Sequence, residues 1–63
     1  MITVTTIFKL PNGQLIQFDK DVDDQDTEIG EAFNDACNKM IELYDISYSE
    51  VLALFYDGRY SPI

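Results

Sequence analysis

Apolar and polar residues alternate from the start of the chain. Ile2, Val4, Phe8 and Leu10 fall on one side of a period-2 pattern with Thr6 between them, and Thr3, Thr5 and Lys9 fall on the other. Such alternation predicts a half-buried strand, and residues 2–18 read as a β-hairpin around Pro11-Asn12-Gly13. A two-residue Asn12-Gly13 loop would pair Phe8 with Gln17 and Ile7 with Phe18, scattering apolar side chains over both faces. A three-residue loop, with Pro11 at i+1 of a type I turn and Gly13 in the left-handed bulge position, sets Leu10 against Gln14, Phe8 against Ile16 and Thr6 against Phe18. That register gathers Ile2, Val4, Phe8, Leu10, Ile16 and Phe18 on one face, so burial selects it.

The period then changes to that of a helix. Stepping 100° per residue, Ile29, Ala32, Phe33, Ala36, Cys37, Met40, Ile41, Leu43 and Tyr44 fill one arc, which predicts a helix over 27–44. Asp26 or Thr27 serves as its N-cap, with Glu28 and Glu31 in the positive first turn. After a break at Asp45-Ile46, Ser47 and Glu50 have capping-box spacing and open a second helix over 48–56. Asp57-Gly58 is read as its stop, and 57–63 as a tail free to add a short edge strand. The expected fold is α+β, a single small ββαα domain with 19–26 as an acidic linker.

The second helix has little polar face. Tyr48, Val51, Leu52, Leu54, Phe55 and Tyr56 spread around most of its circumference, so it is either wrapped by the rest of the domain or presents a patch to another chain.

Charge and composition narrow the function. Four Lys+Arg stand against twelve Asp+Glu in 63 residues, a net charge of −8, and residues 19–31 hold seven of those acids and one lysine. A balance of this sign argues against direct nucleic-acid binding. Apolar residues at 46% are a globular complement, above what an acidic disordered tail carries. The lack of His and the lone Cys37 exclude Ser-His-Asp and Cys-His nucleophiles, an intramolecular disulfide and a multi-thiolate metal site. No signal peptide or membrane span is legible, and a single thiol fits a reducing compartment, so the expected location is the cytoplasm, that of the host cell if a phage encodes the chain.

Three motifs invite chemistry. Asp19, Asp21 and Asp23 imitate positions 1, 3 and 5 of an EF-hand loop, but Asp24 stands where Gly is needed and Gly30 where a bidentate Glu is needed, so no metal site is expected. Residues 38–56 have a helix-turn-helix outline with Ile41 at the tight-packing position, Asp45 in the turn and no Lys or Arg on the would-be reading helix. A plain helix pair is the better reading. Cys37, at the edge of an apolar arc, reads as an inert buried thiol. The carboxylates lie in the most solvated part of the chain, where nothing raises a pKa for general-acid work, and neither a catalytic residue nor a cofactor is expected.

The acidic block carries the remaining hypothesis. In an extended chain alternate residues point the same way about 6.6 Å apart, so Asp19, Asp21 and Asp23 can line up carboxylates as a nucleic-acid strand lines up phosphates. With Asp24, Asp26, Glu28, Glu31, Asp35 and Glu42 they would form one negative stripe, against the plainer reading of a solvated, solubilising surface. By size, acidity and fold class the chain resembles the small inhibitor proteins that bacteriophages and mobile elements make against restriction, CRISPR or other host nucleic-acid machinery. The likeness is one of composition and rests on no motif. It implies a non-catalytic nucleic-acid mimic whose partner is a basic nucleic-acid-binding protein such as a nuclease, polymerase or defence complex, with no membrane involved. The alternative is a homo-oligomeric or adaptor module, a homodimer being one such case, that uses the apolar second helix and docks through Tyr48, Leu54, Tyr56 and Tyr60.

Overall fold

A computed structural model describes residues 1–23 and 26–62, with the backbone alone for 26–28. The elements run β1 (Ile2–Lys9), β2 (Leu15–Val22), α1 (Asp26–Tyr44), α2 (Tyr48–Leu54) and β3 (Phe55–Pro62). The strands form one antiparallel sheet in the order β2-β1-β3, with the helices packed on one face. The fold is α+β, in the sequence β-β-α-α-β.

The hairpin takes the register that burial selects, with Phe8 opposite Ile16 and Thr6 opposite Phe18. Gly13 sits at φ 91°, and its N–H donates to the Leu10 carbonyl at 2.9 Å while Leu10 N–H donates to the Gln14 carbonyl at 2.8 Å. Asn12 Oδ1 accepts from Gln14 N–H at 2.9 Å and stiffens the turn.

Three boundaries differ from the sequence reading. β2 does not stop at Phe18 but runs to Val22, pairing Asp19, Lys20, Asp21 and Val22 with Thr5, Val4, Thr3 and Ile2. Half of the expected linker is therefore strand. Period-2 alternation continues through Phe18, Lys20 and Val22, and Val22 is buried with Val4 and Ala32, but acids at the intervening positions disguise it as a loop. Helix α1 starts at Asp26, and the position before it, where its cap would sit, lies outside the described residues.

Helix α2 ends at Leu54, two residues short of expectation, and Asp57-Gly58 lies inside a strand instead of stopping a helix. The eight-residue β3 takes the place of the expected tail. As a strand, Phe55 sets its ring edge-on to Phe8 at 6.2 Å and to Phe33 at 5.6 Å, and β3 pairs the edge of β1 that the hairpin leaves open. Tyr56 is the extra residue of a bulge, because Ile7 faces Asp57 and Phe8 faces Phe55.

Phe8, Ala36, Cys37, Met40 and Val51 are the buried centre of the core. Leu43 and Tyr44, which continue the apolar arc of α1 in sequence, are exposed. They lie in the last turn of α1, where Asp45, at φ 51°, closes the helix by donating its N–H to the Ile41 carbonyl at 2.9 Å. Ser47 Oγ accepts from Glu50 N–H at 3.3 Å and starts α2.

Candidate functional site

Strand alternation decides where each carboxylate goes. Even-numbered residues of β1 and β2 face the helices, and odd-numbered residues face the side that no helix covers. Asp19 and Asp21 therefore share the uncovered face of edge strand β2. Thr5 Oγ1 donates to Asp19 Oδ1 and Thr3 Oγ1 to Asp21 Oδ1, each at 2.7 Å, while Gln17 Nε2 donates to both oxygens of Asp19 at 3.2 Å. Two carboxylates two residues apart are thus held in extended geometry by hydroxyls of the central strand.

The other predicted acids divide around this pair. Asp21, Asp23 and Glu31 line a shallow pocket of about 310 Å³ at the end of β2, together with Lys20. Asp35 lies on the helix layer, where Lys20 forms an ion pair with it. That hydrogen bond and charge hold the Asp35 carboxyl below the ordinary carboxylate range, with a smaller contribution from Lys39. Glu42 lies seven residues further along α1, past Lys39, whose ammonium stands 5.8 Å over the Phe18 ring. The expected single stripe is two groups, a sheet-face pair and a helix row, with Lys20 and Lys39 set into the row. Asp24 lies outside the described residues, and Asp26 and Glu28 are placed by backbone only.

The EF-hand likeness dissolves in this geometry. Asp19 and Asp21 belong to a strand, and among the described residues no group of three His, Cys, Asp or Glu side chains could hold a metal ion. Cys37 is fully buried, and desolvation raises its pKa, away from the thiolate that nucleophilic chemistry needs. Among the described residues no helix is long and apolar enough to cross a membrane.

The rival surface is also rearranged. Tyr48 on α2 and Tyr56 and Tyr60 on β3 are exposed, whereas Leu54 is partly buried against the core. Leu52 is the exposed leucine of α2, at 45%. Beside α2 an open groove of about 550 Å³ is walled by Leu10, Pro11, Tyr44, Ile46, Ala53 and Leu54. On β3, Asp57 accepts from Gly58 N–H and from Arg59 Nε, both at 2.9 Å, and these two bonds lower its pKa, the Arg59 bond most.

Reading the sequence alone misses Thr3 and Thr5 as positioning groups, Lys20 as the partner of Asp35, and the Asp57-Arg59 pair. The first three were available from extending the period-2 pattern to Val22, whereas Asp57 and Arg59 matter only once β3 exists. No protein-family model matches the chain, and no curated protein or solved structure is detectably similar to it.

Proposed function

We propose that the chain is a small non-catalytic binding protein that places its acidic β2 edge on the basic nucleic-acid-binding surface of a partner protein and blocks it. The observation that carries this reading is the Asp19–Asp21 pair, two carboxylates on one strand face, each oriented by a threonine hydroxyl at 2.7 Å. Strand geometry sets such a pair about 6.6 Å apart, close to a phosphate repeat, and pre-orientation lowers the entropy that binding must overcome. Asp23 and Glu31 extend the same negative edge around the end of β2. Long-range attraction of this kind acts mainly on association rate and is screened by salt.

The test is a partner captured on the immobilised chain and challenged with salt and heparin. The reading expects release between about 0.05 and 0.5 M salt, competition by heparin, and loss of capture with Asp19→Lys/Asp21→Lys. A partner retained by that variant, or one that still binds its nucleic acid while captured, overturns it.

A second reading, association between copies or with an adaptor partner through apolar surface, is favoured by the exposure of Tyr48, Leu52, Tyr56 and Tyr60 on α2 and β3. In that case the acids serve solubility alone.

A further inference from the structure

The hydrogen-bond alternation of the sheet fixes which backbone groups of β3 face outward. Leu10 N–H bonds to the Gln14 carbonyl, so even-numbered residues of β1 exchange backbone bonds with β2, and odd-numbered Thr3, Thr5 and Ile7 exchange them with Ser61, Arg59 and Asp57. Gly58 and Tyr60 therefore turn their N–H and C=O groups away from the sheet. In agreement, Gly58 N–H is taken up by the neighbouring carboxylate of Asp57. β3 is thus an open edge with exposed aromatic residues on it.

We propose that this edge pairs antiparallel with β3 of a second copy about a twofold axis at Gly58, giving a continuous six-stranded sheet. The proposal rests on the second reading above, association between copies, and assigns it a surface. Three registers set Gly58 or Tyr60 of one copy opposite Gly58 or Tyr60 of the other. Tyr60 against Tyr60 places Gly58 opposite Pro62, which has no N–H to give. Gly58 against Tyr60 places Arg59 opposite Arg59 of the copy, a like-charge clash.

Gly58 against Gly58 sets Asp57 opposite the copy's Arg59, and Arg59 opposite the copy's Asp57. These fall at non-hydrogen-bonded positions, where Cα atoms approach to about 4.5 Å and side chains meet most closely. Asp57 and Arg59 share the uncovered face and already bond within one chain at 2.9 Å. Pairing makes four charges of alternating sign, each flanked by two of the opposite sign. The strand is self-complementary in this register alone among the three. Gly58 N–H exchanges its bond to Asp57 for the carbonyl of the copy's Gly58, and the freed carboxylate oxygen turns to the copy's Arg59.

The helix-side face of the junction fits as well. Two glycines meet there, and the Phe55 ring lies 3.5 Å from where a Cβ on Gly58 would be, so aromatic surface flanks the axis in each chain. The opposite edge of the sheet is unsuited to the same use, because antiparallel pairing of β2 with itself around Lys20 would oppose Asp19 and Asp21.

Sedimentation equilibrium over about a hundredfold concentration range tests the pairing. The wild type is expected to dimerise, Arg59→Asp to weaken the dimer about tenfold by turning two opposite-charge pairs into like-charge ones, and Asp57→Arg/Arg59→Asp to restore it. Leu43→Asp, exposed on α1, is expected to leave it unchanged. Amide exchange on the wild type gives a readout independent of any variant's folding, with Gly58 and Tyr60 slowing as concentration rises. A chain monomeric throughout overturns both the pairing and the second reading. A dimer lost in Leu52→Asp but kept in Arg59→Asp overturns the pairing and leaves that reading standing, and a double variant that fails to recover, or Gly58 exchange that ignores concentration, overturns the pairing alone.

Discussion

Lys20 of β2 reaches across the layer boundary to the carboxylate of Asp35 on α1, joining sheet and helix by an ion pair at the solvent edge of the core. Strand alternation puts Lys20 on the helix side, away from the uncovered face that its sequence neighbours Asp19 and Asp21 occupy.

This pair sets a pH dependence. Asp35 is held below the ordinary carboxylate pKa by Lys20, and Asp57 by Arg59. A carboxylate depressed in the folded state adds stability that is complete above its unfolded pKa, near 4, and lost as pH falls through the folded value. Carboxyl-carbon titration is expected to show Asp35 moving up toward the ordinary range in Lys20→Met while Asp57 stays low. The melting temperature of that variant should fall less steeply on acidification below about pH 4.

Asp45 occupies the left-handed region at φ 51° and puts a negative charge at the negative end of α1, which has no basic residue in its last turn. Asp45→Gly removes both costs. Net of the greater freedom of glycine in the unfolded chain, the gain expected is about 0.5–1 kcal/mol, read as a melting temperature roughly 2–8 °C higher.

The glycines of the two turn-like motifs should respond in opposite ways. Gly13, at φ 91°, needs its left-handed backbone, so Gly13→Ala is expected to cost about 1–2 kcal/mol in urea unfolding despite open space around it. Gly58 has no such requirement, and a Cβ there would meet the Phe55 ring at an ordinary 3.5 Å, so Gly58→Ala should keep the monomer's stability within about 0.5 kcal/mol.

Core and surface apolar residues separate sharply. Phe8 is fully buried between Phe18 and Phe55, and Phe8→Ala is expected to cost about 3–5 kcal/mol, most of the stability of so small a chain. Leu43, at 65% exposure, belongs to the same apolar arc as Met40 in sequence, yet Leu43→Ala should change stability by less than about 0.5 kcal/mol. Near-ultraviolet circular dichroism of the tyrosines, followed through urea unfolding, checks both.

Elements whose cause is local were legible in the residues alone. The hairpin register follows from Pro11, Gly13 and the placing of Phe8, Ile16 and Phe18. The core stripe of α1 follows from Ala32, Ala36, Cys37 and Met40 recurring at helical spacing, and the start of α2 from Ser47. Each of these depends on backbone geometry and burial within a few residues. Whatever depends on partners distant in sequence came only with the assembled sheet. Residues 19–22 are strand because β1 begins at Ile2 and its backbone needs a partner. Phe55–Pro62 is strand because β1 has a second edge and Phe8 and Phe33 offer aromatic contacts. Which acids share a surface follows from those same pairings, since strand alternation sends Asp19 and Asp21 to one face and Lys20, with Asp35, to the other. A local pattern cannot carry that information, because the energy deciding it comes from hydrogen bonds and ring contacts between residues up to 60 positions apart, as between Ile2 and Pro62.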